Sequence, residues 1–206
     1  MRPERVKPVM SLQEFFKDSV ANAMSKQRLA ADDHTAYYVV NLLTLFARSE
    51  ALFDKTHNGV ELRPLALILA EAVDSSTPEE RNHALQRVGD IALFTAGFLG
   101  EGMARKLVDI DYYVHMGGSA YSTLSETVRG SRRGQVYSSV FAELSVKFQD
   151  FVDVLADVCS DPNAHDDIDI LRLYEIWQRT GSKRAAQLLR SRGIEPDTVL
   201  DGETRH

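Results

Sequence analysis

From Leu12 onward, apolar residues fall at helical spacing. Leu12, Phe15, Phe16, Val20 and Met24 make the stripe of a first helix over about 11–28, and Ser11 with Glu14 has the spacing of a capping box. A second helix is expected over about 33–52 behind the Asp32/Asp33 cap. Its core, "YYVVNLLTLFA", is apolar almost all round, as suits an element with little solvent contact. One polar ridge, His34, Tyr37, Asn41, Thr44 and Arg48, steps by three and four and reads as a solvent-facing edge, with a polar cavity wall as the other reading. "FDKTHNGVEL" is a turn-rich connection, and Asn58-Gly59 suits a tight turn. Pro64 then opens a short helix to about Val73. Ser76, Thr77, Pro78, Glu79 and Glu80 together make a strong helix start. The positions after it, Leu85, Val88, Ile91, Ala92, Thr95, Leu99, Met103 and Leu107, keep a helical period past glycines at 89, 97, 100 and 102, with a bend allowed near Gly89.

The segment "VDIDYYVHMGGSAYSTLSE" also sorts by helical phase. Asp111, His115, Ser119, Ser122 and Glu126 share one face, while Tyr113, Gly117, Ala120, Tyr121, Leu124 and Val128 share the opposite, apolar one. Over about 134–160, Val136, Val140, Leu144, Phe148, Phe151, Leu155 and Cys159 form one side, and Glu143, Lys147, Asp150, Asp153 and Asp157 fall mostly on the other, expected to be solvated. Helices over about 166–180 and 182–192 follow, joined at "RTGS". There is no repeat and no convincing two-residue alternation, so the predicted class is all-α: a single-domain helical bundle of about eight helices with a small C-terminal helical hairpin. The expected divisions are a flexible segment 1–10, a helical core 11–160, a hairpin 161–194 packed on that core, and a flexible tail 195–206.

Composition narrows the function classes. With 206 residues, 44% of them apolar, the chain can bury a substantial core without staples. A net charge of −6 disfavours broad binding to nucleic acid or anionic membrane. No run of 18 uncharged apolar residues is present, "MRPERVKPVM" is not followed by the apolar run of a signal peptide, and Cys159 is the single cysteine, so a soluble, cytoplasmic protein without a signal peptide is expected, with Cys159 as a small core residue.

Two short stretches resemble known modules. "FTAGFLGEGMARKLVD" is similar to the cofactor turn of extended short-chain dehydrogenases and epimerases, which would set Thr95, Gly97 and Gly100 around a pyrophosphate. It departs from that pattern at Ala96, where a glycine is expected, runs two residues short, and continues a helical period, so its glycines read instead as a ridge for close helix packing. "RTGSKRAAQLLRSRGIEPDTV" resembles the first helix and turn of bacterial helix-turn-helix modules, with Ala185, Ala186 and Leu189 packed and Gly193-Ile194 as the turn. The twelve residues after Ile194 are acidic, which a DNA-reading helix could not be.

Candidate chemistry concentrates around 108–133. Asp111, Tyr112, His115 and Ser119 offer directional polar groups for a ligand or partner, and Gly117-Gly118 would admit a close approach. A serine relay through Asp111, His115 and Ser119 lacks the strained turn and backbone donors of an oxyanion hole. Arg129, Arg132 and Arg133 precede or open the next helix and suit a phosphate or carboxylate. For metals, Glu80 and His83 make one Glu-x-x-His pair where a di-iron site needs two, Asp54 and His57 share a loop, and His165, Asp166, Asp167 and Asp169 crowd a helix start. The expectation is a binding or regulatory helical protein without cofactor, leaning away from catalysis, that self-associates as a homodimer or meets a protein or small anionic ligand. The alternative is a metal-dependent enzyme using His83, Asp111 and His115 with Glu80 nearby; a third is DNA binding through the C-terminal hairpin.

Overall fold

Ser11 starts the first helix as its spacing predicts. Its Oγ accepts from Glu14 N at 3.2 Å, and the Glu14 carboxylate accepts from Ser11 N at 2.9 Å. These reciprocal bonds satisfy two N–H groups that a helix start otherwise leaves open. Helix α1 (Leu12–Gln27) stops at Arg28, which takes the left-handed conformation at φ 55°. Asp32 then accepts from His34 N at 2.8 Å and caps α2 (Asp33–Phe46). In the computed structural model, the residues described are 11–47, 54–56, 59–61, 64–98, 110–128, 132–159 and 170–196.

The chain continues through strands β1 (Asp54–Thr56) and β2 (Gly59–Glu61), then α3 (Leu65–Asp74), α4 (Pro78–Phe98), α5 (Ile110–Thr127), α6 (Arg132–Val146), α7 (Phe148–Cys159), α8 (Ile170–Thr180) and α9 (Lys183–Ser191). The fold is an all-α helical bundle, with nine helices among the described residues. The strands pair antiparallel with Thr56 opposite Gly59, around the expected turn, and are too short at three residues each to show an alternation in sequence. No helix among the described residues is long and apolar enough to cross a membrane.

Two expectations about the helices change. The helix expected over 134–160 is two helices, interrupted at Lys147, although Lys147 N still donates to Glu143 O (2.9 Å) and Phe151 N to Lys147 O (3.0 Å). The apolar stripe runs through the interruption without losing phase, so the sequence carries no mark of it. The polar side of α7 is also not solvated throughout. Asp153 is only 4% exposed, and the Asp157 side chain is equally covered, because other helices pack over them. The outer parts of three expected helices, 48–52, 99–107 and 166–169, lie outside the described residues.

Helix α4 is the centre of the bundle, touching α2, α3, α5 and α7. Residues Ile91, Ala92, Leu93, Phe94, Thr95, Ala96 and Gly97 are all buried, which explains why this helix shows so little amphipathy. Its neighbours come close because small residues meet large ones. Gly117 of α5 lies where a methyl group would sit closer than 3.0 Å to both the Phe148 ring of α7 and the Ala92 methyl of α4. The same is true of Gly97 against Leu155, so one member of the expected glycine ridge does serve packing, while Gly100 and Gly102 lie outside the described residues. Gly118, one residue along, has nothing nearer than 3.7 Å to such a methyl.

These adjacent glycines give opposite expectations. Gly117→Ala should destabilise the bundle by about 1–3 kcal/mol through overpacking. Gly118→Ala should be neutral or stabilising by up to about 1 kcal/mol through helix propensity. Urea unfolding of the two variants measures both, and equal losses would sink the assignment of Gly117 as the packing contact.

Candidate functional site

The face of α5 singled out by sequence does sort as its phase requires. Gly117, Ala120, Tyr121, Leu124 and Ser125 are buried, whereas His115, Ser119, Ser122 and Glu126 are exposed. Asp111 is engaged through one oxygen: Arg179 of α8 donates to its Oδ2 at 2.9 Å, while Oδ1 is covered and has no hydrogen-bond partner among the described residues. Tyr112 is 38% exposed and meets Tyr113 edge to face, with ring centroids 5.5 Å apart. The structure therefore ties Asp111 to the C-terminal hairpin and leaves His115 and Ser119 on the solvent side. Arg129 lies outside the described residues; Arg132 and Arg133 occupy the first turn of α6.

A half-buried polar cluster lies one helix away, at Asp90. Its Oδ1 accepts from the hydroxyls of Tyr38 (α2) and Tyr121 (α5), each at 2.6 Å, and Gln86 Nε2 donates to the Tyr38 hydroxyl at 2.9 Å. Phe141 of α6 completes the wall, stacked on Tyr121 at 5.6 Å and edge-on to Tyr38 at 5.5 Å. Gly89 makes this possible, because any β-carbon there would collide with the Tyr121 ring. Burial pushes the Asp90 carboxyl up to about 6, against the lowering effect of the two phenol hydrogen bonds. Burial and the neighbouring carboxylate push both phenols upward too, so they serve as hydrogen-bond donors and not as nucleophiles. With its Oδ1 shared by two donors, this cluster joins α2, α4 and α5. Sequence reasoning passed over Asp90 because one charge beside a glycine looks like surface; the only available signal was its phase, which aligns it with the buried positions of α4.

An open groove lies between α1 and α2. It encloses about 820 Å³ and is floored by Val20, Met24, Leu29 and Val40, with Ala21 and Ala36 on its sides and Tyr37 as its aromatic wall. Val20 and Val40 are almost fully covered, while Tyr37 is 61% exposed. Gln13 donates to Asn41 Oδ1 at 3.2 Å and bridges the two helices beside it. Polar groups stand toward the ends: Gln13, Glu14 and Lys17 along the start of α1, and Ser25 and Asp33 where α1 ends and α2 begins. The ridge read from sequence as a solvent edge thus supplies part of this wall through Tyr37.

No three His, Cys, Asp or Glu side chains among the described residues come together in a way that could hold a metal ion. Glu80 and His83 are exposed on the first turns of α4, and Asp111 is engaged by Arg179, so the Glu80, His83, Asp111 and His115 constellation is not assembled there. Asp54 is described in backbone only, and His57, His165, Asp166, Asp167 and Asp169 lie outside the described residues. Cys159, expected in the core, ends α7 half-buried. Compared with known proteins, the chain matches no family model, no curated protein and no solved structure.

The Asp90 junction predicts a pH dependence of defined sign. Its folded pKa of about 6 lies above the ordinary 3.8, so the folded state binds the proton more tightly than the unfolded chain. The stability from that proton is complete below about pH 4 and is lost as pH rises through about 6, roughly 3 kcal/mol in all. Asp90→Asn keeps an oxygen for both phenols and removes the titration. Chemical denaturation across this range should show the difference in stability, wild type minus variant, falling as pH rises; parallel curves would sink the account.

Proposed function

We propose that this chain is a non-catalytic binding protein whose α1–α2 groove receives an amphipathic, cationic helix of a protein partner. The groove itself carries the reading. Two helices bound an open trough with a nearly closed apolar floor, and its lining on α1, from Gln13 to Ser25, spans about 18 Å at the helical rise, or three to four turns. Helix-in-groove recognition uses such a surface, with apolar anchors at i, i+3, i+4 and i+7. Charge selects the occupant. Glu14 and Asp33 face one Lys17 along the lining, and Glu14 is held ionised by its bonds to Ser11. Exposed Tyr37 adds an aromatic face suited to a lysine or arginine.

This reading moves the functional surface from the Tyr112 and His115 side of α5 to α1 and α2. A helical peptide of leucine and lysine, long enough to span the groove, is a direct probe. Its addition should shift amide resonances of α1 and α2, and added salt should weaken binding. Ala21→Gln, which places bulk over the floor, should weaken it by about tenfold or more. A matched leucine and glutamate peptide should not bind. Shifts spread over other helices, or equal binding of the two peptides, would overturn the reading. So would self-association of the wild type that Ala21→Gln abolishes, because a second copy would then be the occupant.

A further inference from the structure

The α8–α9 hairpin is attached to the bundle in a way unlike the other helices. Its buried apolar residues, Leu173, Ala185 and Leu189, cluster with Tyr174, Ile176, Trp177, Leu188 and Ile194, separately from the main core. Among the described residues, carboxylates of α5 and α7 accept hydrogen bonds that cross from the hairpin to the bundle. Asp153 accepts from Ser182 Oγ (2.8 Å) and Arg184 N (3.0 Å), so it holds the N-terminus of α9 from outside. Asp157 accepts from Arg184 Nε at 3.1 Å, Asp150 from Lys183 Nζ at 2.7 Å and Asp111 from Arg179 Nη2 at 2.9 Å. Two of these pairs are open to water, with Lys183 62% and Arg179 38% exposed, and the Arg184 pair is covered.

We propose that the α8–α9 hairpin is a releasable ionic latch, able to leave α5 and α7 while the remaining bundle stays folded. Asp157 makes independent release feasible. It also accepts from Lys26 Nζ at 3.0 Å and from Gln27 Nε2 of α1, so losing Arg184 does not strand it without a donor. The hairpin likewise keeps its own apolar cluster when it moves. Release bares a row of aspartates on α5 and α7 and frees the basic residues of the hairpin, turning one neutralised seam into two oppositely charged faces. Asp153 resists full solvent screening because it is deeply covered, whereas the Lys183 and Arg179 pairs respond to salt.

Amide hydrogen exchange on the full chain tests this. Hairpin amides should exchange through an opening reaction that leaves α4 and α5 protected, and that opening should increase as salt is raised from about 0.05 M to about 0.5 M. Arg184→Gln should increase hairpin opening by about tenfold, the loss of one charge-assisted hydrogen bond, with α4 unchanged. Trp177, the single tryptophan, reports the same event by fluorescence. A single opening constant shared by hairpin and bundle, or hairpin opening unmoved by salt, would overturn the latch. Should Arg184→Gln fail to fold, the salt series on the wild type and Lys183→Gln still decide.

Discussion

The bundle depends on how one tyrosine is seated. Tyr121 lays its ring over Gly89 and places its hydroxyl on Asp90, the next residue of the same helix. A ring in that position can be accommodated only where α4 has no side chain, and a hydroxyl there needs an acceptor because it is buried. Gly89 and Asp90 supply the two conditions in adjacent positions. Once α5 is fixed on α4, Tyr38 brings α2 to the same oxygen and Phe141 brings α6 against both rings. A polar junction of this kind favours one arrangement of helices over shifted ones, since each shift leaves a phenol or the carboxylate unpaired.

Much of this architecture was legible in the sequence, for reasons of local physics. The capping box at Ser11 and Glu14, the cap at Asp32 and the start at Pro78 depend on a few neighbouring residues. The split of α5 into a buried and an exposed face depends only on helical phase. What escaped was decided by partners remote in the chain. Asp153 and Asp157 sit on the polar side of α7 and look solvated until α1 and α9 are placed over them, 130 and 31 residues away in the bonds to Gln27 and Arg184. Asp90 looks like an ordinary charge until its two phenols, 52 and 31 residues away, are brought to it.

The α1–α2 groove proposed as a binding surface was hidden for a different reason. A groove exists where two helices leave a space that none of the described residues fills, and no residue pattern marks an absence of packing. The segment 108–133 drew attention because it is dense in reactive side chains, yet Asp111 is engaged by Arg179, and Gly117 packs against Phe148. Tyr37 contributes a single polar position to a helical ridge and becomes part of a groove wall only with α1 alongside it.

Tyr37 and Tyr38 are consecutive in α2, one forming the groove wall and the other bonded to Asp90 inside the bundle. A helix turns 100° per residue, so α2 cannot roll to reshape the groove without withdrawing Tyr38 from its carboxylate. The backbone that carries the wall is therefore held in place beforehand. A molecule that settles there forfeits little of the protein's conformational freedom, and more of the contact energy remains as affinity.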